Sequence, residues 1–220
     1  MIAETVEPVA FRRSLTQERI SRLARVGPWR VDALFVTLPL DSDALRSRQA
    51  ACLAEELAAL RRDGDGGSVR LATHMPSGRP VVLIDGRPTD VSVSISHVQG
   101  LVGACLCDNA WVGLDIVEPA EAGRGLDVWF TPDELAFMPD DHSILRPLLW
   151  AAKEAAYKAA HLDTEFRPRT VTICDLSETT FAWIARDRFA DVRGAGCFFD
   201  INRHIVAVAA ASPRQSCSCS

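Results

Sequence analysis

Long hydrophobic runs are absent from this sequence, whose apolar stretches reach only the length of a β-strand. Such stretches are too short to cross a bilayer as a helix. Residues 1–7 are acidic and lack the basic start and apolar stretch of a secretory signal. The formal net charge of -5 gives no general attraction to nucleic acid or to anionic membranes. We therefore expect a cytoplasmic protein that binds neither nucleic acid nor membranes.

Several common signatures of metal and nucleotide sites are also absent. The seven cysteines include no Cys-x-x-Cys pair, which argues against a zinc site. The sequence has no glycine-rich P-loop and no cluster of several acids, which leaves a nucleotide hydrolase or a metal-dependent phosphatase as a distant alternative. With 220 residues, 48% of them hydrophobic, the chain can bury a core as one domain or as two small halves.

The segment 150–158 places an acidic residue between two lysines in a run of alanines and aromatics. At 3.6 residues per turn, Glu154 and Lys158 lie on one stripe of a helix and the alanines on another. Taken alone, these two residues would be a surface pair that contributes about 0.2–0.5 kcal/mol. Alternatively, the small alanine face packs closely on a neighbouring backbone and holds both charged groups at a fixed place.

A second segment favours that functional interpretation. Residues 112–117 have the pattern of a buried strand, with the acidic residue Asp115 in its middle. A buried carboxylate is costly unless it is paired or bound to a cation. We therefore expect Asp115 to lie opposite Glu154 and Lys158.

Four short motifs occur in a fixed order along the chain: Gly-Arg-Pro at 78–80, Ser-Ile-Ser-His at 94–97, Gly-Leu-Asp at 113–115 and Trp-Ala-Ala-Lys-Glu-Ala-Ala-Tyr-Lys at 150–158. Together they resemble the 4'-phosphopantetheinyl transferase superfamily, in particular the single-chain type that activates surfactin synthetase. The resemblance covers about residues 30 to 210. It implies an α+β fold of two similar subdomains, each with a small antiparallel sheet packed on a long helix.

The resemblance also implies an activity. Such an enzyme would transfer the 4'-phosphopantetheine arm of coenzyme A to a serine of an apo acyl or peptidyl carrier protein and release 3',5'-ADP. Asp115 and Glu154 would hold Mg²⁺, or Mn²⁺ in its place, and Lys158 would join them in catalysis. The family's coenzyme A contacts correspond to Arg48, Arg79, Ser96, His97, Lys153 and Lys158. We expect coenzyme A and the carrier as partners and a monomer as the active unit.

The sequence departs from the family at one metal-binding position. Many members have Asp-x-Glu on the strand, whereas here Val117 stands two residues after Asp115, at the position of that Glu. We expect a water to fill the missing ligand position. A non-catalytic relative that binds coenzyme A or a carrier remains the alternative. For Arg48 and Arg79 the alternative is a solvated side chain, and for His97 an ordinary surface or core residue.

On this plan the chain divides into four parts. We expect a loose N-terminal segment at 1–13, an N-terminal half at 14–108, a C-terminal half with the metal site at 109–211, and a disordered tail at 212–220. The boundary near residue 108 suits the two-half plan of the family.

Local patterns add more detailed expectations. A possible capping box predicts a helix from residue 14 to about 26. Strands at 101–107 and 111–117 are predicted to form a short hairpin that brings Asp115 into the middle of a sheet. Alternation over residues 91–96 predicts a strand with apolar residues on one face and serines on the other.

Overall fold

The computed structural model describes residues 18–39, 42–62, 67–75, 77–121, 124–138, 145–162, 165–186 and 191–213. The predicted loose segment at 1–13, the capping residues at 14–17 and the tail beyond residue 213 lie outside these ranges. No helix in the described ranges is long and apolar enough to span a bilayer.

The first part of the chain forms two small antiparallel sheets and one long helix. Its elements are β1 (Arg19–Val26), β2 (Trp29–Leu38), α1 (Asp43–Leu60), β3 (Val69–His74), β4 (Arg79–Ile84), β5 (Arg87–Pro88), β6 (Ser92–Val98) and β7 (Gly100–Cys107). The four-stranded sheet has the order β1-β2-β7-β6, and the three-stranded sheet has the order β3-β4-β5. Helix α1 packs on β6 and β7 through its alanines and leucines.

The rest of the chain forms a five-stranded antiparallel sheet packed on the second long helix. Its elements are β8 (Trp111–Val117), α2 (Pro132–Leu135), α3 (Leu145–Ala160), β9 (Val171–Leu176), β10 (Thr180–Arg186), β11 (Asp191–Ile201) and β12 (His204–Ala211). The strand order is β8-β12-β11-β10-β9. These sheets and helices confirm the mixed α+β class, whereas the similarity of the two halves and a boundary near residue 108 stay predictions.

Two local predictions were wrong. Residues 19–26 form strand β1 rather than the end of a helix, because the partly or fully buried Ile20, Ala24 and Val26 recur with a period of two and Gly27 turns the chain back at a φ of 57°. Strands β7 and β8 do not form a hairpin, because β7 pairs with β2 and β6 while β8 pairs with β12. Asp115 therefore lies on an edge strand of its sheet.

Helix α3 approaches β8 as closely as the alanine pattern predicted. Ala152, Ala155 and Ala159 are fully buried on this face of the helix. A Cβ atom added to Gly113 of β8 would lie 1.9 Å from the carbonyl oxygen of Ala155. Only glycine fits at this contact, since the obstacle is main chain that cannot rotate away. The backbone contact fixes the position of Glu154 relative to Asp115.

Serine side chains connect the two large sheets. The N–H groups of alternate residues of β8 donate to serine hydroxyls of β6, with N–O distances of 3.0 Å for Ser92, 2.9 Å for Ser94 and 3.2 Å for Ser96. All three serines are buried. Strand β6 therefore has the predicted alternation, and its serine face contacts the neighbouring sheet.

Candidate active site

A cavity of about 490 Å³ opens between the end of β6, the middle of β8 and one face of α3. Its lining includes Ser96, His97, Asp115, Val117, Trp150, Glu154 and Lys158. The cavity thus brings together the two predicted metal ligands and the predicted catalytic lysine.

Asp115 is only 4% exposed and is paired. Its Oδ1 atom accepts hydrogen bonds from Lys158 Nζ at 2.8 Å and from Ser96 Oγ at 3.2 Å. The Lys158 ammonium also donates to the carbonyl oxygen of Leu114 at 2.8 Å. These contacts supply the compensation that a buried strand carboxylate requires.

Glu154 lines the same cavity as Asp115, and the two carboxyl groups are close enough for each to affect the ionisation of the other. Burial and then the Asp115 carboxylate raise the pKa of Glu154 to about 7, while Lys158 and a hydrogen bond from Trp150 lower it. Two carboxylates this close cannot both be ionised without a compensating charge. The Lys158 ammonium compensates one of the two charges, and below about pH 7 a proton on Glu154 compensates the other; a bound cation would take the place of that proton.

Lys158 supplies the positive charge of the site. Burial disfavours its ammonium form, but the carboxylates of Asp115 and Glu154 outweigh burial and raise the pKa of Lys158 above its usual value. The side chain keeps 31% of its surface exposed. Its ammonium group is therefore charged at neutral pH and accessible to an anion.

The donor set fits a hard cation with few protein ligands. Mg²⁺ commonly takes one or two carboxylates and completes its shell with water and substrate phosphates. Asp115 and Glu154 supply two such groups, whereas Val117 lines the cavity without an oxygen ligand. In the described part of the chain, no three His, Cys, Asp or Glu side chains cluster to hold an ion.

The sequence around these residues matches a known family. Residues 111–209 match the 4'-phosphopantetheinyl transferase superfamily. No curated protein matches the chain. The superfamily domain contains β8 and α3, and with them Asp115, Glu154 and Lys158. The match confirms the superfamily predicted from the motifs over this range, while the surfactin-synthetase-activating type stays a prediction.

A second cavity of about 530 Å³ adjoins the first and shares Lys158 with it. Arg48 of α1 and Arg79 of β4 both line it, so the structure brings to one place two predicted contacts that precede the superfamily domain in the sequence. His161 also lines this cavity and stacks on Trp111 with ring centroids 4.6 Å apart. Burial and the nearby Arg79 lower the pKa of His161 to about 3, so its ring is neutral.

His97 lies at the rim of the first cavity in contact with α1. Its Nε2 atom is 2.8 Å from Ser47 Oγ, and its Nδ1 atom is 3.7 Å from Asp43 Oδ1. Burial lowers the pKa of His97, although Asp43 opposes this shift. Ser47 also lines the second cavity, together with Arg48 and Arg79. Its place directly before Arg48 was the sequence signal that could have indicated it.

The structure does not bring Lys153 to either cavity. Lys153 is fully buried, and its ammonium group donates to Glu134 Oε1 at 2.5 Å and to the carbonyl oxygen of Val171 at 2.6 Å. Because consecutive helical residues are about 100° apart, Lys153 faces away from Glu154. Its predicted role as a coenzyme A contact therefore has no support in this geometry.

Glu134 is the partner of Lys153, and it also completes the capping box of α2 with Thr131. Its carboxylate accepts the N–H groups of Thr131 and Ile173, each at 2.8 Å, as well as the Lys153 ammonium. Burial lowers the pKa of Lys153, and Glu134 opposes this shift. The pair connects α2, α3 and β9 on a side of α3 that does not line the first cavity.

Proposed function

We propose that this protein transfers the 4'-phosphopantetheine arm of coenzyme A to a serine of an apo acyl or peptidyl carrier protein, with release of 3',5'-ADP. Members of the superfamily use coenzyme A and generally a divalent metal. The observation that supports the proposal most directly is the placement of Asp115, Glu154 and Lys158 around one cavity, with the ammonium of Lys158 bonded to Asp115. Oxygen ligands and a fixed cation are what phosphoryl-type transfer requires.

In this proposal Asp115 and Glu154 hold Mg²⁺, and Mn²⁺ could replace it. The metal, when bound, neutralises charge on the pyrophosphate of coenzyme A. Val117 supplies no oxygen, so a water would take the place of the missing acidic ligand. We expect the protein to bind metal more weakly without coenzyme A than with it, since the cofactor's phosphates add ligands.

Glu154 is the proposed acceptor of the serine proton, directly or through a water that it orients. A positioned carboxylate can act as a general base, and Glu154 lines the cavity together with Asp115 and Lys158. The serine oxygen forms a bond to the β-phosphorus while the bond to the bridging oxygen breaks. The leaving 3',5'-ADP takes the bonding electron pair, and Lys158 stabilises its developing charge.

Coenzyme A is proposed to occupy both adjoining cavities. Arg48 and Arg79 would bind its anionic groups in the second cavity, and His97 would donate to it from the rim of the first. Guanidinium groups are well matched to phosphate because their donors form a planar fork. Lys158 borders both cavities and would contact the phosphates between them.

Intact-mass measurement of apo carrier proteins incubated with coenzyme A and Mg²⁺ tests this function. We expect a phosphopantetheine-sized mass gain on a carrier, with an equal amount of 3',5'-ADP. Asp115→Ala and Glu154→Ala should abolish the gain while leaving the circular dichroism spectrum unchanged. Cleavage of coenzyme A without carrier modification would indicate a hydrolase, and binding without turnover would indicate a non-catalytic relative. Retained transfer in both variants would refute the metal assignment.

A further inference from the structure

Strand β8 carries Asp115 but pairs with a strand along only one of its edges in the described part of the chain. On the other edge, the N–H groups of Val112, Leu114 and Ile116 donate to three serine hydroxyls of β6. Unpaired backbone N–H groups in a buried position are costly, so these hydroxyls replace the missing strand.

Asp115 lies between two of these contacts. Ser94 Oγ accepts the N–H of Leu114 at 2.9 Å, and Ser96 Oγ accepts the N–H of Ile116 at 3.2 Å. The backbone is therefore fixed on both sides of the aspartate. These two serines are 4% and 8% exposed, so little water is available to replace them.

Ser96 also reaches the carboxylate itself. A hydroxyl has one hydrogen to donate and can accept at the same time. Ser96 Oγ accepts from Ile116 and is 3.2 Å from Asp115 Oδ1, so its hydrogen is directed to the aspartate. The hydroxyl is thus already engaged by the protein on both sides.

We propose that Ser94 and Ser96 are positioning residues that hold Asp115 in the geometry needed to bind the cation. This inference rests on the proposed function, and it assigns Ser96 to Asp115 rather than to coenzyme A. A ligand must be held to within about 0.5 Å of its productive position, which an edge strand without a partner does not ensure. Residues that orient a metal ligand commonly change metal affinity by about 10- to 100-fold when they are removed.

Ser92, which lies on β6 like Ser94 and Ser96, provides a matched control. It accepts the N–H of Val112 at 3.0 Å and is as buried as Ser96, but its contact is three residues away from Asp115. Ser92→Ala therefore removes a hydrogen bond of the same kind as Ser94→Ala, at a greater distance from the carboxylate.

The test measures Mn²⁺ binding to the full chain without coenzyme A, by the electron paramagnetic resonance signal of free Mn²⁺. Ser94→Ala and Ser96→Ala should each weaken Mn²⁺ binding by about tenfold. Ser92→Ala should leave it unchanged, although Ser92→Ala and Ser94→Ala should lower the urea unfolding midpoint by similar amounts.

Equal Mn²⁺ affinities in Ser94→Ala and Ser92→Ala would overturn the positioning role, whether both are unchanged or both are weakened. If Ser94→Ala does not fold, the comparison of Ser96→Ala with Ser92→Ala decides in the same way. Failure of the unsubstituted protein to bind Mn²⁺ would instead overturn the proposed cation site, and the two failures are therefore distinguishable.

Discussion

Separating the buried Glu134–Lys153 pair should be among the most destabilising changes in the protein. Both side chains are fully buried, and the ammonium and carboxylate groups contact each other directly. Removing one partner of a buried ion pair typically costs about 3–5 kcal/mol because the other charge stays buried without compensation. We therefore expect Lys153→Met to lower the free energy of unfolding by that amount.

Glu134→Leu should cost more than Lys153→Met. It leaves the Lys153 ammonium with one remaining acceptor, the carbonyl oxygen of Val171. It also leaves the buried N–H of Ile173 without its acceptor, which adds about 1–3 kcal/mol. The expected total is roughly 4–8 kcal/mol, a large part of the stability of an ordinary domain.

The double variant Glu134→Leu, Lys153→Met should be more stable than Glu134→Leu alone. It removes the isolated ammonium and leaves only neutral polar groups unpaired, at about 1–3 kcal/mol each. Urea unfolding followed by tryptophan fluorescence measures all three variants. If the double variant were no more stable than Glu134→Leu, the buried charge would not be the source of the cost. If Glu134→Leu does not fold, folding of the double variant answers the same question.

Three other predictions concern the active site and its support. Gly113→Ala should lower the unfolding free energy by at least about 2 kcal/mol, because the added Cβ would meet the carbonyl oxygen of Ala155. Gly125→Ala is the control, since a Cβ there has no atom within 4 Å, and it should have little effect on a thermal unfolding curve. In chelator, stability should fall as pH rises from about 4.5 to 7, because the folded state keeps the proton of Glu154 up to a pKa of about 7 and the unfolded state releases it at 4.5. The slope should be at most about 1.4 kcal/mol per pH unit, and an equal slope in Glu154→Gln would contradict this assignment. His97→Ala should raise KM for coenzyme A with little change in kcat, and an unchanged KM in steady-state assays would exclude the contact.

The central residues of the site were predictable because each carries its own local signal. Asp115 is conspicuous as a charge in an apolar strand, and Glu154 and Lys158 lie one turn apart on a helix with an alanine face. The close approach of that face to a neighbouring backbone was also expected, since small side chains permit it. The sequence did not indicate that Gly113 would be the residue at the contact.

Partners that are distant in sequence were not predictable in the same way. Lys153 was predicted to contact coenzyme A because it lies in the motif at 150–158, but its partner Glu134 is nineteen residues away on a separate helix. The capping box of Thr131 and Glu134 explains an acid at position 134 without burial, so no local pattern pairs Glu134 with Lys153. Helical geometry alone argued that Lys153 faces away from Glu154.

The predicted pairing of β7 with β8 was wrong for a related reason. The short connection after β7 permits a hairpin, but the hydrophobic pattern does not record which strand lies alongside which. β7 belongs to the four-stranded sheet and β8 to the five-stranded sheet, and the serines of β6 bond the edge of β8 that has no strand partner. The alternation of apolar and polar residues identified the serine face of β6 correctly. That this face contacts β8 depends on how the whole chain folds and is not visible in the local pattern.

The shared wall between the two cavities has a consequence for how ligands arrive and leave. Because Lys158 lines both cavities, an anion in either cavity changes the electrostatic potential in the other. Thermodynamic linkage makes that influence mutual and equal in free energy. Anion binding in one cavity should therefore alter the affinity of the other cavity for its own anion, and release should reverse the effect. Lys158 thus couples ligand binding in the two cavities.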